Sequence, residues 1–143
     1  MAIPKLGVSK KHEPVHYSVG ALIKKNDKYL MIDRAKFPPG FAGVAGHIDD
    51  GENEHEALER EVMEESGLKL DSSSLLFEEE LDWNECRRGV KTHYWFLFEC
   101  NVSGTIKRNY NETKSIGWYT VDQIKELKLE PVWDYWFKKL KII

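Results

Sequence analysis

The fold is decided by the stretch Gly46–Leu68, which reads GHIDDGENEHEALEREVMEESGL. Asn53 followed three residues later by Glu56 is a capping-box pattern, which begins a helix, and Gly67 suits the left-handed conformation that ends one. The stretch therefore predicts a loop that leads into a helix from about Glu54 to Ser66.

The predicted helix carries a crowded set of acids. Glu61, Glu64 and Glu65 stand three and four positions apart on one face, with Glu54 on the same face two turns earlier. Like charges at these spacings destabilise a helix by about 0.2–0.5 kcal/mol per pair. Arg60 lies off that arc, so we expect the counter-charge to be a hard divalent cation, Mg²⁺ or Mn²⁺. The alternative is a solvated acidic face, which is the usual meaning of an arbitrary run of glutamates.

The spacing of the whole stretch favours the metal site. It fits Gly-x5-Glu-x7-Arg-Glu-apolar-x-Glu-Glu-x-Gly-apolar, and seven of the specified positions require a single residue type. With a frequency of about 7% for each type, chance agreement is on the order of 10⁻⁸ per starting point. The pattern resembles the Nudix box, and the matching residues are Gly46, Glu52, Arg60, Glu61, Val62, Glu64, Glu65, Gly67 and Leu68.

The rest of the chain indicates alternating strands and helices. Residues 16–24 and 29–32 predict one hairpin, residues 75–83 and 91–102 a second with apolar side chains on both faces, and residues 115–119 a further strand. Asp71–Ser74 is predicted to be a turn, whereas helices are predicted to begin at Val121 and Pro131. This pattern favours a mixed β-sheet sandwiched between helices, which agrees with the α/β/α Nudix fold that the resemblance implies.

Size and composition favour one domain over residues 1–143, with residues 1–14 as a loose N-terminal arm. The net charge of −3 gives no reason to expect a nucleic-acid or membrane partner. We expect a cytoplasmic protein, because no signal peptide or membrane-spanning run is present. We expect it to be a monomer or a homodimer. Cys86 and Cys100 lack metal-ligand spacing and are interpreted as reduced thiols without a role.

The resemblance implies hydrolysis of a nucleoside diphosphate linked to another moiety, giving a nucleoside monophosphate and the phosphorylated remainder. It implies Mg²⁺ as cofactor, with Mn²⁺ as the other option, and a small-molecule nucleotide as substrate. Glu61, Glu64 and Glu65 would be metal ligands, and Glu61 is also a candidate base. Ala45 would lend a backbone carbonyl to the metal. The structural positions of the box would be Gly46, Glu52, Arg60 and Gly67, with Glu52 and Arg60 paired.

Other candidate residues lie outside the box. Glu112 precedes Trp118-Tyr119 as the extra catalytic glutamate of many family members does, although a solvated loop acid is the alternative. Its rivals are Glu79, Glu80 and Glu99. Phosphate could be bound by Arg34, and also by Lys36, Arg87, Arg88 or Lys107-Arg108. A base could stack on Phe37, Phe41 or Trp83, and His47 could reach the site or hydrogen-bond within its loop.

Two other functions compete with hydrolysis: an isopentenyl-diphosphate isomerase-like enzyme and a catalytically silent nucleotide-binding module. The complete glutamate set favours the hydrolase. The substrate is less constrained, because around Asp82–Cys86 the chain has neither the proline of ADP-ribose hydrolases nor the tyrosine of dinucleoside polyphosphate hydrolases. We expect a small nucleotide, most simply a nucleoside triphosphate or a modified one.

Overall fold

The computed structural model describes residues 3–143. The strands are β1 (Leu6–Val8), β2 (Pro14–Lys25), β3 (Lys28–Arg34), β4 (Gly40–Ala42), β5 (Val44–His47), β6 (Lys69–Leu81), β7 (Thr92–Ser103) and β8 (Thr113–Tyr119). The helices are α1 (Glu54–Ser66), α2 (Val121–Lys125) and α3 (Pro131–Lys139). Among the described residues, no helix is long and apolar enough to cross a membrane.

Strand β2 is the centre of a mixed sheet. It pairs in parallel with β7 and antiparallel with β1, β3 and β5. Strand β6 extends the sheet beyond β7, and β4 and β8 both pair with β3. The two predicted hairpins, β2–β3 and β6–β7, are therefore confirmed, and β5 places Gly46 directly beside the central strand.

The helices cover the two faces of the sheet. Helix α1 buries Ala57, Leu58 and Val62 in one apolar cluster, whereas α2 and α3 bury their apolar residues in another. Strand β7 contributes to both clusters, with Phe98 in the first and Leu97 in the second. The predicted mixed sheet between helices is confirmed, as is a strand buried on both faces.

Helix α1 has the predicted ends. The Asn53 side chain accepts a hydrogen bond from the Glu56 N–H at 2.8 Å, and the Glu56 carboxylate accepts one from the Asn53 N–H at 3.0 Å. Gly67 has φ of 74°, and its N–H donates to the Met63 carbonyl at 2.9 Å. The helix therefore starts and stops on local signals, which fixes the position of its acidic face.

Two predictions about local structure are wrong. Asp71–Ser74 is not a turn but part of β6, because polar side chains on this edge strand bond across to β7: Ser103 Oγ donates to Asp71 at 3.0 Å and Asn101 Nδ2 to Ser72 at 2.9 Å. The N-terminal arm is not loose over Leu6–Val8, which pairs with β2 as β1. Met1 and Ala2, which that prediction also covers, lie outside the described residues.

Trp133 offers a test of how α3 is held on the sheet. Its ring is fully buried against Gly20 and Gly43, where an added methyl group would crowd it. Trp133→Ala should lower the free energy of unfolding by about 3–5 kcal/mol, because the indole leaves a cavity that the sheet cannot close. Urea denaturation measures this loss.

Trp83→Ala is the matched control for that measurement. Trp83 is 46% exposed and meets the Tyr135 ring edge-on at 5.5 Å between centroids. Its replacement should cost about 1 kcal/mol or less. Equal losses in the two variants would contradict the packing of α3 described above.

Candidate functional site

A cavity of about 460 Å³ opens between β5, α1 and the loops before β4, β7 and β8. Most of the predicted site residues line it. From β5 and the box come Ala45, Gly46, His47, Arg60, Glu61, Glu64 and Glu65, and from other segments Arg34, Lys36, Phe37, Arg87, Arg88 and Glu112. The fold thus brings together acids and bases that are up to 78 positions apart between Arg34 and Glu112.

Glu61 lies against the backbone of β5. A Cβ atom built on Gly46 would overlap the Glu61 carboxylate, so only glycine leaves room for it. Burial raises the pKa of Glu61 to about 7, while Arg60 lowers it through a hydrogen bond from Nη1 to Oε1 of 2.7 Å. The requirement for glycine at position 46 is therefore steric, because any side chain there would occupy the space of the Glu61 carboxylate in the cavity.

Glu65 is buried deeper than Glu61. Its Oε1 accepts a hydrogen bond from the Ala45 N–H at 2.9 Å, and 7% of the residue is exposed. Burial first and the Glu61 charge second raise the pKa of Glu65 well above its ordinary value. Two carboxylates thus share a region where negative charge is costly, which favours protonation or a bound cation.

Arg60 holds the loop before α1 to the helix. Its Nε and Nη2 donate to the two oxygens of Glu52 at 2.8 and 2.9 Å, Nη2 also donates to the His47 carbonyl at 2.9 Å, and the Asp49 carboxylate lies 3.2 Å away. The structure thus places Arg60 beside Glu52, as expected.

The expected separation of Arg60 from the acidic face is wrong. Arg60 Nη1 lies 2.7 Å from Glu61 and 3.2 Å from Glu64. The long Arg60 side chain bends so that its guanidinium lies between Glu52 of the loop and Glu61 and Glu64 of the helix. Arg60 therefore neutralises part of the negative charge for which the spacing of the glutamates predicted a metal ion.

Glu112 lines the same cavity as the box glutamates. It accepts a hydrogen bond from Lys36 Nζ at 2.9 Å, and its charge is one of the minor factors that raise the pKa of Glu65. Its rival Glu79 instead binds Tyr135 and Lys139 at 2.7 Å each, and neither Glu80 nor Glu99 is among the described residues that line the cavity. The position of Glu112 favours it over these alternatives.

Arg34 lines the cavity with part of its guanidinium already engaged. Nε donates to the Pro38 carbonyl at 2.8 Å and lies 3.4 Å from Glu130 Oε2. Sequence reasoning missed Glu130, which is buried in the cavity wall just before Pro131; burial raises its pKa to about 7 while Arg34 lowers it. The sequence predicted that a helix begins at Pro131, directly after Glu130, but nothing in the sequence indicated that the Glu130 side chain is buried.

The predicted roles of Phe41 and Trp83 in substrate binding are not supported, because neither is among the described residues that line the cavity. Phe41 turns toward Tyr119, with 5.8 Å between ring centroids, and Trp83 packs on Tyr135. Phe41 packs against the apolar cluster that contains α3, and Tyr135, the partner of Trp83, is a residue of α3. Phe37 is different: it lines the cavity and is 53% exposed, so it is the aromatic group available for stacking.

His47 extends into a cluster that the sequence did not predict. Its Nε2 lies 3.2 Å from His93 Nε2, and His16 and Cys86 complete the group. Burial, followed by the effect of His93, lowers the pKa of His47 to about 3; burial also lowers the pKa of His93 to about 4. The members come from three strands and a loop, so no local spacing could have revealed them.

The Glu52–Arg60 pair predicts a pH-dependent contribution to stability. The hydrogen bonds from Arg60 are the largest cause that holds the pKa of Glu52 below its ordinary value. Such a carboxylate stabilises the fold above its unfolded pKa, and this contribution is lost as the pH falls through the folded pKa. Glu52→Gln should therefore destabilise the protein more at about pH 7 than at about pH 3, as measured by urea denaturation.

Glu59→Gln is the control on the same helix, because Glu59 is exposed. It should change stability by about 0.5 kcal/mol or less at both pH values. A Glu52→Gln loss that does not depend on pH would show that the pair does not act through charge.

Comparison with known proteins was made on both sequence and structure. A family model of the NUDIX domain matches residues 14–140. The human NAD-capped RNA hydrolase NUDT12 is 30% identical over 103 residues, which cover 70% of this chain and 21% of that protein. The nucleoside triphosphatase NudI of Enterobacter sp. (strain 638) is 28% identical over 119 residues, covering 76% of this chain and 84% of that protein. The chain spans only 20–36% of the length of other curated relatives.

A solved structure gives the same result for the fold. The NUDIX domain of Shewanella oneidensis NrtR, crystallised with ADP ribose, matches with a TM-score of 0.73 at 13% identity, over 87% of this chain and 85% of that one. The family model covers nearly all of the described residues, and the box residues meet in one cavity. The chain therefore belongs to the NUDIX family.

Proposed function

We propose that this protein is a divalent-metal-dependent pyrophosphohydrolase, which cleaves a nucleoside diphosphate linked to another group into a nucleoside monophosphate and a phosphorylated remainder. The observation that carries the proposal is the convergence of Glu61, Glu64 and Glu65 in one cavity that basic side chains also line. An isolated acidic face would repel phosphates, whereas this arrangement can bind them once a cation is present.

The donor set fits Mg²⁺ or Mn²⁺. All three side chains offer carboxylate oxygens, the ligands that these hard ions prefer. Burial raises the pKa of both Glu61 and Glu65, so a cation would relieve an existing electrostatic cost. The Ala45 carbonyl is the fourth proposed ligand, next to the N–H that holds Glu65. Bound there, the ion would supply positive charge that offsets the charge of the phosphate oxygens.

The chain's own residues would orient the substrate and move the proton. Lys36, Arg87 and Arg88 line the cavity and can bind phosphate oxygens, as can the part of Arg34 not engaged by Pro38 and Glu130. Glu61 is the proposed base for the attacking water, because its carboxylate lies in the cavity among the proposed metal ligands. Glu112, which also lines the cavity, is the second candidate.

The proposed substrate is a small nucleotide. A volume of about 460 Å³ lies within the range of about 300–1,000 Å³ typical of small-molecule pockets, and Phe37 offers a face for a base. The names of the similar proteins refer to a nucleoside triphosphate, an NAD cap and ADP ribose, all of which contain a phosphoanhydride. We favour a nucleoside triphosphate or a modified one, because NudI is the relative that this chain spans most completely among these curated proteins.

Glu61→Gln is the direct test of this proposal. The substitution removes a charge without changing volume, so kcat should fall by about 10³-fold or more while the protein stays folded. Phosphate release and product chromatography should be measured with Mg²⁺ and Mn²⁺ over a panel of nucleoside triphosphates, dinucleotides and nucleotide sugars. Glu59→Gln, on the exposed face of the same helix, should keep full activity.

The outcome of that panel also separates the competing functions. Unchanged turnover in Glu61→Gln would reject the metal-site assignment. Binding of nucleotides without any product would identify a silent module. Isomerisation of isopentenyl diphosphate, added to the panel as a further substrate, would identify the isomerase.

Gly46→Ala tests whether room for the Glu61 carboxylate is needed. The new methyl group would displace Glu61 toward the cavity, so activity should fall by about 10²-fold, as for other small misplacements of catalytic groups. Gly117→Ala is the matched control, because its methyl group would make only an ordinary contact, 3.7 Å from the Tyr119 ring. Circular dichroism checks folding. Full activity in Gly46→Ala would mean that the position of Glu61 does not limit the reaction.

A further inference from the structure

We propose that His16, His47, His93 and Cys86 form a second metal site, separate from the carboxylates, that binds one tetrahedral transition-metal ion of the Zn²⁺ type. Three members of this histidine–cysteine site, His47, Cys86 and His93, line the same cavity as the carboxylates. It does not depend on the proposed hydrolase activity.

The four donor atoms are close enough together for one ion to contact them all after small side-chain movements. One ligand atom from each side chain lies within 4.8 Å of all the others. Nε2 of His47 and His93 are 3.2 Å apart, and Cys86 Sγ is 3.8 Å from His16 Nδ1. Zinc–nitrogen bonds of about 2.0–2.1 Å and a zinc–sulfur bond of about 2.3 Å give tetrahedral edges of about 3.3 Å and 3.6 Å. The two measured pairs are therefore already near the separations that a single ion requires.

The sheet fixes the three histidines relative to one another. His16 and His93 are direct partners in the parallel pairing of β2 with β7, so their side chains point to the same face. His47 pairs with Ser18, two residues from His16 on that face. These positions follow from backbone register, which means that the site is preorganised rather than assembled on binding.

The fourth ligand comes from the loop between β6 and β7. The Cys86 N–H donates to the Val90 carbonyl at 3.1 Å, and the Gly89 N–H donates to the Cys86 carbonyl at 2.9 Å. Asn84 anchors the start of the loop by accepting a hydrogen bond from Trp95 Nε1 at 2.9 Å. A tight turn thus holds the thiol over the sheet, where it meets the imidazoles.

The chemistry of the donors differs from that of the Nudix box. Imidazole nitrogen and thiolate sulfur select Zn²⁺ and similar ions, whereas a carboxylate set selects Mg²⁺ or Mn²⁺. His16 and His93 are buried, so water would have little access to an ion bound between their imidazoles. The two sites would therefore take different metals from the same solution.

The consequence of this site would be a fixed loop. Arg87 and Arg88 follow Cys86 directly and line the cavity. An ion that ties Cys86 to three strands would hold both guanidinium groups at the cavity mouth. The metal would thus act structurally on a loop whose basic groups face the substrate space.

Cobalt titration tests the proposal, because tetrahedral Co²⁺ absorbs strongly in the visible and a cysteine ligand adds a near-ultraviolet sulfur-to-cobalt band. The full chain should be titrated with Co²⁺ in excess Mg²⁺, which occupies oxygen sites. One equivalent should bind with both spectral features, and Zn²⁺ should displace it. A weak octahedral spectrum without the sulfur band would overturn the proposal and leave a metal-free histidine cluster.

Matched variants locate the ion. Cys86→Ser should abolish the sulfur band and weaken Co²⁺ binding by more than about 100-fold, because even outer-shell partners are worth about 10- to 100-fold. Cys100→Ala removes the other cysteine, and His12→Gln removes an exposed histidine; both should keep the wild-type spectrum. Circular dichroism checks folding, and His16→Gln provides a second ligand variant. A wild-type spectrum in either ligand variant would reject the assignment.

Discussion

The ion-pair network of Arg60 is the constraint on which the candidate site depends. One guanidinium binds Glu52 with two nitrogens, reaches Asp49 and the His47 carbonyl, and lies against Glu61 and Glu64. Such a planar fork can hold several carboxylates at once, which a lysine ammonium cannot do with the same geometry. Arg60 thereby joins the loop after β5 to helix α1, and it makes a dense group of acids tolerable before any metal binds.

Burial explains why Arg60 alone does not complete that site. Glu65 is buried, its hydrogen-bond donor is the Ala45 N–H, and burial raises its pKa. Its burial contrasts with the exposure of Glu64, whose side chain is 54% exposed. A gradient from a solvated acid to a deeply buried one therefore exists within about one turn of helix. A cation placed along that gradient would contact water on one side and protein oxygens on the other, as an ion that must bind substrate requires.

The sequence predicted those parts of the molecule that depend on neighbours along the chain. Both ends of α1 follow from Asn53, Glu56 and Gly67, because capping is a local interaction. Asp71–Ser74 was predicted wrongly because its turn-forming side chains are satisfied by β7 instead, a long-range choice. The predicted stacking role of Phe41 is also unsupported for a long-range reason, because its ring packs against Tyr119, which is 78 positions away in the sequence, instead of lining the cavity.

Three successive residues of β5 show why the remaining part of the site needed the structure. The Ala45 N–H holds Glu65, the missing side chain of Gly46 admits Glu61, and His47 joins a cluster with His93 while its carbonyl binds Arg60. The contacts of β5 with Glu65, Glu61 and Arg60 concern the box helix, whereas the third function of the strand, the histidine cluster that His47 joins, lies outside it. The third depends on the register of β2 against β5 and β7, which no spacing within one segment can express. A short strand with alternating side chains thus has access to carboxylate chemistry on one face and imidazole chemistry on the other. The same four-residue strand thus positions groups of both donor sets, with Ala45 and Gly46 beside the carboxylates and His47 in the histidine cluster.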